Sequence, residues 1–344
     1  MDDEHKGEVM KKKVPDSIQE KYKLPQRLTD FQLLMYVHLI EWKWKHITKE
    51  PGVHSGREYD AILPASFQAE LQPLYRPIAA KIRDEYDFKV HKHFGHMASS
   101  QAACINLFTV VLSDENVANR VLPRIHPGFS HLAVDKLENG FRFEYWDERN
   151  PLNDHTDAAG TDSDVAIAYY DDDGRLTLWL IEHKLTEDEF TTCGGYASRG
   201  NKTKSNCRSS AMILGDPSKC YYQYKCEYKY WDFTTSTSIY DFDVLRSKKR
   251  CPFIGGANQL WRNQLMAEAV QRGDEYEKTH FSVVYHPNNP DLQDTIDEYK
   301  QMLLDGKRIF STFTSKQIVK ASRIIDSGAI REWADWYSDL YRID

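Results

Sequence analysis

Long hydrophobic runs are absent from this 344-residue sequence. The most apolar stretch, residues 102–112, spans 11 residues and contains Asn106, whereas a membrane-spanning helix needs about 20 apolar residues. The first residues, MDDEHKGEVMKKK, carry charges without the apolar segment that a secretory signal has. We therefore expect a soluble, cytoplasmic protein with no membrane partner.

Several short motifs of nucleotide-binding and metal enzymes are also missing. The chain contains no GxxxxGK[ST], GxGxxG or HExxH motif, so a nucleotide triphosphatase and a metalloprotease have no support. Three histidines come close together in HKHFGH, as His91, His93 and His96. They flank a Phe-Gly pair and precede a predicted helix, so we interpret them as a polar loop.

The overall composition is ordinary for a soluble globular protein. Hydrophobic residues make up 41% and charged residues 28%, and the length fits one large domain or two smaller ones. The formal net charge of −7, taken as an average over the chain, argues against a nucleic-acid partner. A partner meets only one face of a protein, however, so the charge of that face matters more than the average.

The spacing of apolar residues predicts helices in the N-terminal third and strands after it. Helices are expected at 31–44, with Thr29 or Asp30 as N-cap, at 67–86 and at 99–112. Alternation predicts a strand at 141–145, and later patterns predict a helix at 256–272, a strand at 281–285 and two helices in the last 50 residues.

A β-hairpin is the clearest local prediction. The runs DVAIAYY (164–170) and RLTLWLIEHK (175–184) are joined by Asp-Asp-Asp-Gly, a hairpin turn signal. If the turn centres on residues 172–173, the numbers of two residues that face each other across the hairpin add up to 345 or 346. Asp164 then lies opposite Ile181 or Glu182. Because side chains alternate along a strand, Glu182 and Lys184 share a face and His183 points the other way.

Carboxylates grouped on such a strand repel one another and lose water at a cost. A hard divalent cation relieves both penalties, because Mg²⁺ binds one or two carboxylates and completes its shell with water and phosphate oxygens. Lys184 beside the cation would hold the attacking water or balance charge in the transition state. Metal-assisted phosphodiester hydrolysis is the reaction that these groups suit.

At these positions the sequence resembles the PD-(D/E)xK nuclease superfamily, in the segments GTDSDVAI (160–167) and LIEHK (180–184). The resemblance implies that Asp164 and Glu182 bind the metal ion and that Lys184 assists the water. Ser163 stands where the family has a proline, which leaves Asp162 open as a ligand; we prefer Asp164 because it opens the apolar run. The family often adds supporting polar residues from neighbouring helices, here Gln101 or Glu144 and Gln259 or Gln264.

The fold that the resemblance implies is α/β: a restriction-endonuclease-like mixed central sheet of four or five strands flanked by helices, with helical N- and C-terminal extensions. The chain then divides into a mobile lead-in (1–25), a helical N-terminal region (26–95), a nuclease core (96–290) and C-terminal helices (291–344). The core carries a basic insertion, rich in Cys and Tyr, at 193–251.

Four of the six cysteines, Cys193, Cys207, Cys220 and Cys226, lie within 34 residues of this insertion. In an intracellular protein such a group suggests a structural Zn²⁺ or an iron–sulfur cluster, although no CxxC pair supports it. Reduced, unliganded cysteines are the alternative. Cys104 stands apart, on the apolar face of the helix at 99–112, and is interpreted as a core residue.

The insertion also carries positive charge. It contains eleven Lys and Arg against five Asp and Glu, a net charge of +6. Aromatic residues are interleaved with these charges, among them Tyr196, Tyr221, Tyr222, Tyr224, Tyr228, Tyr230 and Trp231. Basic side chains neutralise phosphates, and aromatic faces can stack on bases. The candidates for nucleic-acid binding are Arg199, Lys202, Lys204, Arg208, Lys248, Lys249 and Arg250.

The sequence therefore predicts a Mg²⁺- or Mn²⁺-dependent nuclease acting on DNA. RNA as substrate, endonuclease or exonuclease action, and a homodimer stay open. Two alternatives belong to other classes: a non-catalytic nucleic-acid-binding module on the same fold, and a sensor domain built on the cysteine metal site.

Overall fold

The predicted hairpin forms the centre of the structure, a computed structural model that describes residues 10–86, 88–156, 160–304 and 309–343. Strands β7 (Ser163–Asp171) and β8 (Leu176–Lys184) pair antiparallel, with Val165 opposite Ile181. The numbers of facing residues thus add up to 346, and Asp164, the residue before Val165, lies across from Glu182. The left-handed backbone of Gly174 (φ 78°) closes the turn.

The other elements surround this hairpin, and no helix in the described part of the chain is long and apolar enough to cross a membrane. The remaining strands are β1 (Lys12–Lys13), β2 (Arg27–Leu28), β3 (Gly52–His54), β4 (Arg57–Tyr59), β5 (Phe129–Leu132), β6 (Phe141–Tyr145), β9 (Lys278–Tyr285) and β10 (Phe310–Thr314). The helices are α1 (Asp16–Lys21), α2 (Asp30–His46), α3 (Ala65–Ala69), α4 (Arg76–Glu85), α5 (Ser100–Leu112), α6 (Glu115–Val121), α7 (Gly194–Ala197), α8 (Ser210–Gly215), α9 (Tyr221–Tyr224), α10 (Tyr230–Ser236), α11 (Phe242–Ser247), α12 (Ala257–Gln271), α13 (Gln293–Gln301), α14 (Ser315–Ser322) and α15 (Gly328–Tyr341).

Six strands of the described residues form one mixed sheet in the order β10-β9-β8-β7-β5, with β6 also paired to β7. The pairs β8–β9 and β9–β10 are parallel, and β7 pairs antiparallel with β5, β6 and β8. This arrangement confirms the predicted α/β fold with a mixed sheet flanked by helices. The extra strand, β10, lies in the C-terminal region where helices alone were expected.

The sheet has a hydrophobic core on each face. Side chains alternate along β8, so Trp179 and Ile181 join one core and Leu178 and Leu180 the other. Helices α2, α5 and α15 cover the first face, and α12 and α13 cover the second. The same alternation places Glu182 and Lys184 on the α12 face.

Segment 1–25, predicted to be a mobile lead-in, is described from residue 10 onwards; residues 1–9 lie outside the described residues. Residues 10–25 hold β1 and α1, and Val14, Tyr22 and Leu24 are buried. The Tyr22 hydroxyl donates a hydrogen bond to Glu41 of α2 (2.5 Å). The described part therefore packs on the rest of the protein, because this packing removes its apolar side chains from water.

One predicted helix begins where it was expected, and another is interrupted. Helix α2 begins as expected after Thr29, whose hydroxyl accepts the Gln32 N–H (3.1 Å) in a capping box. The single helix predicted at 67–86 is instead α3 and α4, interrupted around Leu71 (φ 57°) and Pro73. Proline lacks the N–H that a continuous helix needs and its ring clashes with the preceding turn.

The carboxylate of Asp171 closes the hairpin at the end opposite Glu182. It accepts hydrogen bonds from the Asp173 and Arg175 N–H groups, from the Arg175 guanidinium and from the Lys278 ammonium (2.8 Å). Burial raises the pKa of Asp171, but these donors outweigh burial and bring the pKa down to about 2. The ionised carboxylate thus stabilises the folded state.

We predict that Asp171→Asn lowers the free energy of unfolding at pH 7 by about 2 kcal/mol, since charge-assisted hydrogen bonds are lost. The wild-type contribution is present above the ordinary pKa of 3.8 and disappears as the pH falls through about 2. Urea unfolding at a series of pH values measures this. Asp172→Asn, at an exposed neighbouring position, is the control; equal curves for both variants would contradict the assignment.

Candidate active site

The end of the hairpin away from its turn opens into a cavity of about 540 Å³. Among the residues that line it are four carboxyl groups and one ammonium from the sheet strands and the segment just before β7: Asp164 of β7, Glu182 and Lys184 of β8, Glu144 of β6, and Asp162. Glu187, Asp188 and Glu189, which follow β8, line it as well. The structure therefore brings together the three residues of the predicted motif. It also adds Asp162 and Glu144, which the sequence offered as further candidates.

Glu182 is the most firmly held of these groups. Its Oε1 accepts hydrogen bonds from the Lys184 ammonium (2.9 Å) and the Gln259 amide (2.7 Å), and its Oε2 accepts one from Asn263 (2.9 Å). Gln259 and Asn263 are one turn apart on α12. Three donors thus fix the orientation of a carboxylate that is buried against the sheet.

Lys184 stays protonated in this setting. Burial lowers the pKa of its ammonium, but the charges of Glu182, Glu187 and Asp164 raise it more, so the pKa lies above the ordinary value. The side chain also lies over the ring of Phe190, with Nζ 5.6 Å from the ring centroid. The site therefore presents a fixed positive charge among its carboxyl groups.

Asp164 is placed by the backbone of the opposite strand. Its Oδ2 accepts the His183 N–H (2.6 Å), which leaves Oδ1 without a hydrogen bond from that strand. Desolvation raises the pKa of Asp164 well above its ordinary value, and the charges of Glu182 and Glu144 raise it further. A neighbouring cation would stabilise the ionised form.

Glu144 has an unusual backbone conformation for a strand residue, with φ of 50°. Phe141 and Phe143 belong to one core and Tyr145 to the other, so the alternation expected along 141–145 breaks at Glu144. Its carboxyl faces Asp164 across the β6–β7 pair. Desolvation, with the charge of Asp162, raises the pKa of Glu144 to about 8, against a hydrogen bond from Gln101. Backbone strain of this kind clusters at functional sites.

Asp162 lies at the exposed side of the cavity. Desolvation and the charge of Glu182 raise its pKa, and Arg262 opposes them. The Arg262 guanidinium donates to the Gly160 carbonyl oxygen and the Thr161 hydroxyl (3.4 Å each), which fastens the segment that carries Asp162.

The sequence of this chain matches the model of a known protein family. The model of the family "restriction endonuclease associating with ARP" matches residues 35–342. The chain belongs to this family. Membership in a restriction endonuclease family indicates a nuclease, with DNA as the general class of substrate. No curated protein and no solved structure matches the chain.

The supporting residues predicted for the site divide into those that reach it and those that do not. Gln259 contacts Glu182, and Gln101 contacts the loop before α5 as well as Glu144. Gln264 is buried, its amide has no hydrogen-bond partner within the described residues, and it is not among the residues that line the cavity. Asn263 was missed, although its spacing of four residues from Gln259 places both on one helix face.

The histidine loop was also missed as part of the site. His91, His93 and His96 line the same cavity as the carboxyl groups. His96 has a structural role, because its Nδ1 accepts the Ala98 N–H (3.0 Å) and its ring packs on Tyr36. No residue pattern in the sequence connects this loop with a hairpin about 70 residues later; the contact is purely tertiary.

The clustered cysteines are free thiols. Cys207 and Cys220 are buried, and Cys193 and Cys226 are half-buried. In the described ranges, no three His, Cys, Asp or Glu side chains are grouped so that they could hold one metal ion. The structural Zn²⁺ or iron–sulfur cluster stays a prediction. Cys104 is buried in the core beside the sheet, where it was expected.

The basic insertion exposes most of the charges proposed to bind nucleic acid and buries some of its aromatic rings. Tyr230 and Trp231 are buried, and Tyr222 packs on Tyr228 and Tyr230, so these rings build the core over α12; Tyr224 is exposed. Stacking of aromatic faces on bases stays a prediction for this segment. Arg199, Lys202, Arg208, Lys249 and Arg250 are exposed. Lys204 lies over Tyr196, and Lys248 pairs with Glu298 (3.0 Å).

We predict that Asp164→Asn makes the metal-free protein more stable, by about 1 kcal/mol, because one member of a repelling carboxyl group is neutralised while the His183 N–H keeps its acceptor. Thermal unfolding in EDTA measures this change.

Asp188→Asn is the matched control, since Asp188 lines the cavity but pairs with Lys11 (3.0 Å) and Gln32. It should lose stability. A loss of stability in Asp164→Asn as well would show that Asp164 is held by the fold rather than strained for function.

Proposed function

We propose that this protein is a Mg²⁺- or Mn²⁺-dependent nuclease of the PD-(D/E)xK type that hydrolyses phosphodiester bonds in DNA. The observation that supports this most directly is the convergence of Asp164, Glu182 and Lys184 on one cavity at one end of the central hairpin. Membership in a restriction endonuclease family agrees with it.

The residues of the cavity suit a hard divalent cation. The carboxylate oxygens are ligands that such a cation prefers, and a cation between them relieves the desolvation and the repulsion that together raise the pKa of Asp164. Asp164 and Glu182 would hold it, with Asp162 as the alternative to Asp164. Mg²⁺ needs only one or two protein carboxylates, so a site without three grouped ligands is adequate. When bound, the cation lowers the pKa of water and neutralises charge on the phosphate.

Each neighbouring group has a definite task in this proposal. Lys184 keeps its proton and places a positive charge where the attacking water and the phosphoryl oxygens gather. Gln259 and Asn263 donate hydrogen bonds to the Glu182 carboxylate, so they fix its orientation together with Lys184. The attacking water gives up one proton to solvent as its oxygen forms the new bond to phosphorus, one ester P–O bond breaks, and the leaving oxygen takes a proton from solvent.

The exposed cations of the basic insertion would hold the nucleic acid. Arg199, Lys202, Arg208, Lys249 and Arg250 are exposed and can neutralise phosphates, with Lys204 and Lys248 beside them. Because Tyr230 and Trp231 are buried and Tyr222 packs on its neighbours, contact of the basic side chains with the phosphate backbone is favoured over stacking on bases.

We predict that the wild-type protein with Mg²⁺ or Mn²⁺ cuts DNA and that Lys184→Ala and Glu182→Gln each lower the cleavage rate by at least about 100-fold. The first removes the positive charge beside the reacting phosphate, and the second weakens a ligand of the cation. Gel assays on single-stranded and double-stranded DNA and on RNA measure it, with EDTA as a metal-free reference.

Lys300→Ala, on the surface helix α13, is the control and should cut like wild type. If the wild type binds DNA but cuts neither DNA nor RNA, the protein is a non-catalytic binding module. Unchanged cleavage in Lys184→Ala would also reject the proposal.

A further inference from the structure

Three imidazole rings stand in a row at the edge of the cavity. The ring centroid of His93 lies 5.1 Å from that of His91 and 5.0 Å from that of His54, which comes from the β3–β4 hairpin. His91 and His93 line the same cavity as Asp164 and Glu182, so one space contains both the carboxyl cluster and these rings.

The loop that carries the rings is tied to the candidate active site. The His91 N–H donates to Oε1 of Gln101 (2.8 Å), and the Gln101 amide donates to the Lys89 carbonyl oxygen (3.0 Å). Gln101 also contacts Glu144. Further along, Phe94 is buried and the Gly95 carbonyl oxygen accepts the Leu63 N–H (2.9 Å). The loop is thus anchored at both ends, which holds His91 and His93 beside the carboxyl groups.

The charges that act most on the His91 and His93 rings are basic, although carboxyl groups line the same cavity. Desolvation lowers the pKa of His91 and His93, and the neighbouring charges that add to it among the described residues are basic: Lys89 and Lys92 for His91, and Lys92, His91 and His54 for His93. A cluster of bases is disfavoured by its own repulsion unless an anion binds there. Both protonated and neutral imidazole offer N–H donors to a phosphate oxygen.

We propose that His91 and His93 bind a phosphate of the nucleic-acid strand that neighbours the phosphodiester being cut. This rests on the proposed nuclease function. The carboxyl groups hold a cation at the scissile phosphate, and the imidazoles hold the next phosphate along the strand. A space of about 540 Å³, within the range of ordinary ligand sites, accommodates both contacts.

The test measures binding without cleavage. Lys184→Ala serves as the parent, and His91→Ala and His93→Ala are added to it together. Fluorescence anisotropy with a labelled oligonucleotide in Mg²⁺ gives the Kd of each protein. The expected result is a Kd raised about tenfold in the triple variant, as for the loss of a charge-assisted hydrogen bond. His131→Ala, an exposed histidine at the turn end of the sheet, is the matched control and should leave the Kd unchanged.

A second arm identifies the phosphate. Single uncharged methylphosphonates are placed at successive positions of the oligonucleotide. One position should weaken binding to the parent and have no further effect on the triple variant, because the contact is already lost. Equal Kd values for parent and triple variant, equal methylphosphonate effects in both, or no binding of the oligonucleotide to any protein would each overturn the proposal.

The two proposals fail separately. If the wild type cuts nucleic acid and the histidine substitutions change nothing, only the phosphate contact is rejected. If the wild type cuts nothing while the histidine and methylphosphonate effects appear, the phosphate contact stands and the nuclease function fails. Thermal unfolding of each variant excludes a folding defect, and His93→Gln, which keeps an N–H donor, should recover part of the affinity.

Discussion

Burial of several carboxyl groups close together at one end of the β7–β8 hairpin is the constraint on which the site depends. Desolvation, with the charges of Glu182 and Glu144, raises the pKa of Asp164 well above its ordinary value, and desolvation with the charge of Asp162 raises that of Glu144 to about 8. A fold seldom gathers like charges without a compensating partner. Lys184 compensates part of this charge, and a divalent cation would compensate the remainder.

Much of the surrounding structure holds this unfavourable group in place. Helix α12 supplies Gln259 and Asn263 to Glu182 and Arg262 to the segment before β7, while α5 supplies Gln101 from the other side. The reacting groups lie on strands of a sheet whose two faces each pack on a core, and this packing fixes the positions of the groups. The rigid sheet and the polar residues of the helices beside the cavity thus position the carboxyl groups together.

What the sequence predicts well is what local contacts determine. The hairpin register, the shared face of Glu182 and Lys184 and the cap at Thr29 follow from turn chemistry and side-chain alternation within a few residues. The features that it misses depend on distant partners. Strand β10 pairs with β9 across a long connection, the histidine loop meets the hairpin only in three dimensions, and Tyr230 is buried because it packs on Trp261 of α12. Glu144 was a candidate from its position, but no pattern indicates its left-handed backbone.

The central claim is that Asp164 and Glu182 share a divalent cation, and an anomalous diffraction experiment on crystals containing Mn²⁺ tests it most directly. The account predicts a Mn²⁺ peak between the two carboxylates in the wild type and its loss in Glu182→Gln. A wild-type crystal at saturating Mn²⁺ with no peak there, or with its peak at the cysteines instead, would contradict it.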